Sequence, residues 1–156
     1  MINNLYTPPE SPYVILAEDD EDDCILFKEA FLEVGMNLRL VTVNDGIELI
    51  QYLSEVTPLL PQLLFLDLNM PKKNGFASLQ ELKEDERLKD IPVIIYSTSS
   101  SPDDVEKCLR LKAHLYVTKP NSFSNLKKVI NKVLVTDFIN HLVEDQKENF
   151  LIFSED

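Results

Sequence analysis

Five short apolar runs, each followed by a stretch with helical spacing, restrict this chain more than any other feature. The runs are Tyr13 to Ala17, Leu38 to Val43, Leu63 to Leu66, "IPVIIYS" at 91 to 97 and "HLYVTKP" at 114 to 120. Runs this short and this apolar read as strands buried on both sides. The intervening stripes are Cys24, Phe27, Phe31 and Val34, closed by Gly35; then Ile47, Ile50 and Leu53; then Phe76, Leu79, Leu82 and Lys83. "SSPDDVEKCLRL" opens with Ser, Pro and early acids, the usual start of a helix, and Leu126, Val129, Ile130, Val133 and Leu134 stripe the last one. Parallel strands need helical crossovers. The order therefore predicts an α/β, doubly wound five-stranded parallel sheet covered by five helices.

With 156 residues, 44% of them hydrophobic and 27% charged, one domain can bury a core without staples or metals. The expected domain runs from 13 to 134, after a flexible Pro-rich leader over 1–12. Residues 135–156 form a tail that is expected to extend the fifth helix through Phe138 and Leu142, turn polar at "EDQKEN" and end in the apolar knot "FLIF" at 150 to 153. Three fates stay open for it: pairing two chains into a homodimer, covering an output face, or remaining mobile. The net charge, 15 − 27 = −12, argues against nucleic acid as a partner, since binding by counterion release needs a basic face. No window resembles a membrane span or a signal peptide. Cys24 and Cys108 lack metal or redox spacing and read as reduced core residues, so a cytoplasmic setting is expected.

Ligands of doubly wound sheets gather at the carboxyl ends of the strands. Here those ends carry "AEDDEDD", Asp67, "YSTSS" and "YVTKP": carboxylates, a carboxylate, hydroxyls and an ammonium. Asp67, at the end of "LLFLD", is a charge set on a buried strand, which is costly without a partner. With "EDD", "DLNMPKKNG", "YSTSS" and "YVTKP" in this order, the chain from about Tyr13 to Leu134 resembles the receiver domain of bacterial two-component response regulators. Within that family it looks most like the stand-alone receivers, including those associated with phytochrome-type kinases.

The resemblance implies a flavodoxin-like strand order 2-1-3-4-5 and a set of roles. Asp67 is the phosphoacceptor. Mg²⁺ is held by Asp19, Asp67 and the backbone carbonyl of Asn69, with Glu18 acting through a bound water. Lys119 pairs with Asp67 and later with a phosphoryl oxygen, Ser97 supplies the hydroxyl that contacts the phosphoryl group, and Ser97 and Tyr116 form the switch. The Lys119–Pro120 bond is expected to be cis. Each role has an ordinary alternative: a capping Asp, a surface Lys, a half-buried strand Tyr. Glu21, Asp22 and Asp23 are read only as acids favoured by the positive end of a helix dipole. Met70, Pro71 and Gly75 are read as loop geometry, with Gly75 permitting a tight approach. Three carboxylates about 5 Å apart repel pairwise by roughly 3 kcal/mol at an effective dielectric near 20, which is a physical reason for a metal. His114 and His141 receive no role.

The expected function is a phosphorylation-driven switch rather than an enzyme. Phosphoryl would come from a sensor histidine kinase or histidine phosphotransfer protein, and the face formed by the fourth helix, fifth strand and fifth helix would engage a protein target that the sequence does not identify. The alternative is a haloacid dehalogenase-like phosphohydrolase, which would also use an Asp nucleophile and Mg²⁺. That reading lacks its general acid, because Asn69 stands two residues after Asp67.

Overall fold

The structure, a computed structural model, describes residues 11–35, 37–55, 59–136 and the backbone of 151–152. Strands β1 (Tyr13–Ala17), β2 (Arg39–Val43), β3 (Leu63–Leu66), β4 (Val93–Ser97) and β5 (Leu115–Thr118) alternate with helices α1 (Glu21–Val34), α2 (Gly46–Glu55), α3 (Gly75–Glu84), α4 (Pro102–Arg110) and α5 (Phe123–Leu134). Every strand pair is parallel, and the expected order 2-1-3-4-5 is present. The sheet has one strand more than expected. β6 (Leu151–Ile152) lies parallel to the outer edge of β5.

Period-two alternation sorts the strand residues onto two cores. Ile15, Ala17, Leu64, Leu66, Val93, Ile95 and Tyr116 face a layer that includes Leu49, Leu53, Leu79, Leu82 and Cys108, from α2, α3 and α4. Val14, Leu16, Phe65, Ile94, Tyr96 and Val117 face Phe27, Phe31, Leu126, Ile130 and Val133, from α1 and α5. β1, β3 and β4 are buried along their whole length for that reason, and an apolar run rather than an alternating one is what their sequence shows; β2, at the sheet edge, departs from the expectation and is buried only at Val43.

Helix starts follow from short polar caps that satisfy otherwise orphaned N–H groups. Asp20 accepts from Asp23 N, Asn74 from Ala77 N, Ser101 from Asp104 N and Ser122 from Asn125 N. Gly35 ends α1 at φ 77°, the left-handed conformation a helix C-terminus favours. α5 ends at Leu134, with Val135 as its C-cap. The expected continuation of the fifth helix is therefore corrected at the residues just past Leu134, and within the apolar knot Leu151 and Ile152 are strand. Phe138 and Leu142 lie outside the described residues, as does His141. Cys24 and Cys108 are free thiols, the latter fully buried. No helix among the described residues is long and apolar enough to cross a membrane.

Candidate functional site

The tips of β1, β3, β4 and β5 converge because neighbouring parallel strands run in register: Ala17 pairs with Leu66, and Ser97 with Thr118. The residue after each tip therefore enters one pocket. From β1 come Glu18, buried, and Asp19, exposed; from β3 comes Asp67, 4% exposed; β4 ends in the fully buried Ser97, and β5 leads into Lys119.

One carboxylate oxygen from each of Glu18, Asp19 and Asp67 lies within 4.8 Å of the others. A small divalent cation with ligands at about 2.0–2.2 Å separates its donors by roughly 3–4 Å, so hard oxygen donors at this spacing fit such an ion. The charges fit it too. Lys119 Nζ stands 2.6 Å from Glu18 Oε1, 2.9 Å from Asp23 Oδ2 and 3.5 Å from Asp67 Oδ2, with its side chain 10% exposed. One ammonium faces several carboxylates. Burial, with the neighbouring Asp67 adding to it, pushes Glu18 up to about 7 against the opposing pull of Lys119. Burial also disfavours the Lys119 ammonium, but its hydrogen bonds to Glu18 and Asp23 outweigh this and hold its pKa above the ordinary lysine range.

The expected Lys119–Asp67 contact is present, but it is the longest of the three. Asp23, read from sequence as a helix-dipole acid alone, is corrected here: it is a partner of Lys119. The available signal was its place in the first turn of the helix that starts directly beyond the tip of β1. Tyr96 was also missed; its ring lies 5.3 Å from Lys119 Nζ.

The β3–α3 connection folds tightly over Asp67. Asn69 N donates to Asp67 Oδ1 at 3.3 Å, and Gly75 N to Leu68 O at 2.9 Å. A Cβ on Gly75 would lie 2.4 Å from Asp67 O and 2.7 Å from Leu68 Cα, so only glycine allows α3 to begin against the backbone of the pocket. Asn69 is exposed and Met70 buried.

Ser97 Oγ accepts the N–H of Ser99 at 3.2 Å and lies within hydrogen-bond reach of the Tyr116 hydroxyl. Tyr116 is fully buried, not half-buried, and its hydroxyl donates to Ser99 O at 2.8 Å. Ser97 and Tyr116 thus meet at one residue of the β4–α4 connection. Thr98, between them, is exposed.

The model of the response regulator receiver domain family matches residues 14–131. The probable methanogenesis regulatory protein FilR2 of Methanothrix harundinacea is 34% identical over 128 residues, covering 80% of this chain and 83% of its own. Response regulator Rcp1 of Synechocystis is 33% identical over 131 residues, 81% of this chain and 87% of that one. A crystal structure of its Mn²⁺-bound form superposes with a TM-score of 0.71, at 31% identity, over 79% of this chain and 91% of that one. The phosphorylated cyanobacterial phytochrome response regulator RcpA gives a TM-score of 0.72 at 36% identity, over 78% of this chain and 90% of that one.

Proposed function

The chain belongs to the response regulator receiver family of two-component signalling, and from that premise we propose that Asp67 accepts a phosphoryl group from a phosphohistidine in a pocket that binds Mg²⁺. The observation that carries the reading is the single cluster formed by Glu18, Asp19 and Asp67 with Lys119 in contact. A carboxylate attacks phosphorus only when its charge and that of the phosphoryl oxygens are offset.

Asp19 and Asp67, with the Asn69 carbonyl, would hold the ion, and Glu18 would orient a water on it. Bound Mg²⁺ would supply the positive charge that screens nucleophile and phosphoryl oxygens. An Oδ of Asp67 forms the new O–P bond as the P–N bond of the phosphohistidine breaks, and the imidazole nitrogen leaves with the electron pair. Lys119 moves from Glu18 and Asp23 toward a phosphoryl oxygen. Ser97 turns its proton toward another, giving up the N–H of Ser99. That exchange frees the connection to which the Tyr116 hydroxyl is tied, so the face built from α4, β5 and α5 changes with phosphorylation and a protein target reads the difference. The donor is a sensor histidine kinase or a histidine phosphotransfer protein, and the chain acts as a phosphoacceptor rather than as a turnover enzyme. Asn69, two residues after Asp67, supplies no general acid for a phosphohydrolase.

Incubation with acetyl phosphate and Mg²⁺ followed by intact mass tests this. The expected result is a gain of about 80 Da that Asp67→Asn abolishes. Persistence of the adduct in Asp67→Asn, or steady turnover of a phosphomonoester, would overturn it.

A further inference from the structure

Without β6, β5 would be the edge of the sheet, with a row of backbone groups open to any extended chain. Leu151 lies opposite Tyr116 and Ile152 opposite Val117. Lys119 sends its backbone N–H to Ser97 O at 2.8 Å, so alternation along the strand turns the backbone groups of Val117 toward β4 and those of Tyr116 outward, toward the tail. The tail therefore grips the residue whose hydroxyl is held by Ser99 O. Its composition agrees with this placement, since "FLIF" is a short apolar, β-prone knot after the polar "EDQKEN", the pattern of a strand added to a sheet edge by main-chain bonds.

We propose that the segment carrying Leu151 and Ile152 is a built-in ligand of the β5 edge, and that phosphorylation of Asp67 loosens it; the loosening, though not the docking, rests on the phosphoacceptor reading above. The occupant is the chain's own tail. Residues 137 to 150 can span roughly 45 Å when extended, ample to return from the end of α5 to the same sheet. The link to the pocket is a line of contacts, from Ser97 Oγ to Ser99 N, from Ser99 O to the Tyr116 hydroxyl, and from the Tyr116 backbone to the tail. A rotation of the Ser97 side chain that carries Oγ toward a phosphoryl oxygen draws it away from the first of these. The docked tail belongs to the arrangement in which Ser97, Ser99 and Tyr116 are joined, so phosphorylation disfavours docking. By reciprocity, undocking favours phosphorylation. Any partner that reads this edge must compete with the tail.

Amide hydrogen exchange on the full chain, wild type against Ile152→Pro, tests both parts, because proline removes a ladder donor and cannot continue the strand. The amide of Tyr116 should exchange about tenfold faster in the variant, while that of Val117, directed at β4, stays unchanged. Treating wild type with acetyl phosphate and Mg²⁺ should speed the Tyr116 amide in the same way, and Ile152→Pro should take up phosphoryl faster than wild type. Equal Tyr116 exchange in both proteins overturns the docking. Protection left unchanged or increased by phosphorylation overturns the coupling, and protection lost on dilution assigns the strand to a second copy and overturns the intrachain assignment. If no adduct forms, the phosphoacceptor reading falls and the coupling with it, while the two unphosphorylated proteins still decide the docking.

Discussion

The imidazole of His114, half-buried, acts as an acceptor: its Nδ1 takes the backbone N–H of Val93 at 3.1 Å, at the start of β4. A proton on Nδ1 would destroy that bond and bring a charge into the core. Burial, and after it the nearby Lys83 ammonium, lower its pKa from 6.5 to about 4, with Asp90 opposing them. The unfolded chain therefore takes up a proton near pH 6.5 that the folded chain refuses until near pH 4. Stability attributable to this group is present above that window and is lost as pH falls through it, by about 2–3 kcal/mol at the acid end. Glu18 works in the opposite sense: its raised pKa means that the fold loses stability as pH rises from 4.5 through about 7. The two slopes are separable by substitution. His114→Gln keeps an acceptor and removes the titration, so its urea midpoint should fall less than that of wild type between pH 7 and pH 5. Identical pH slopes in the two proteins would remove His114 from the account.

Among the elements, α1 is positioned by Phe27, whose ring lies 4.9 Å from Phe65 and 5.3 Å from Tyr96, both edge to face, and 6.4 Å from Phe31. That packing fixes the helix whose first turn presents Asp23 to Lys119. Phe27→Ala removes a fully buried ring joined to two strands and should cost about 3–5 kcal/mol. Phe27→Leu should cost well under half of that, measured by urea denaturation with an unchanged slope. Equal costs for the two would mean that the site collapses around the gap and that the ring geometry matters little. The stripe that contains Phe27 was legible in the sequence, as were β1 to β5, because long-range order follows directly from alternating apolar runs and helical stripes. Burial on both faces hid something else. Leu115, Tyr116 and Val117 are all buried, so no alternation existed to say that Tyr116 lies fully inside. β6 was illegible because two paired residues leave no period to read. The charged and hydroxyl residues at the strand tips were legible as a set, since register forces the tips together. The choice of Lys119 among Glu18, Asp23 and Asp67 was not, because it depends on angles between strands and the first turn of α1.

At the scale of the whole molecule, a chain of net charge −12 gathers Glu18, Asp23 and Asp67 around one ammonium and sets Asp19 beside two of them. Unfolding disperses these charges, so the metal-free pocket works against the fold and an ion that binds only the folded pocket must stabilise it. At about a hundredfold excess over its dissociation constant the gain is about 2.7 kcal/mol, or roughly 5–10 °C in melting temperature for a domain of this size. The gain depends on pH in a direction set by Glu18. Near pH 8 Glu18 is ionised and adds its full share of the repulsion; near pH 5.5 it carries a proton, since burial pushes it up to about 7, and that share is already relieved. Thermal melts in Mg²⁺ should therefore show a larger upward shift at pH 8 than at pH 5.5, and Asp19→Asn should remove most of the shift at both. Asp19 is exposed at the rim, so this variant should melt in chelator within a few degrees of wild type or slightly above it, because one repelling charge is gone. A melting temperature indifferent to Mg²⁺ up to tens of millimolar, or a shift of equal size in Asp19→Asn, would mean that the three carboxylates do not share an ion and that their closeness has another cause.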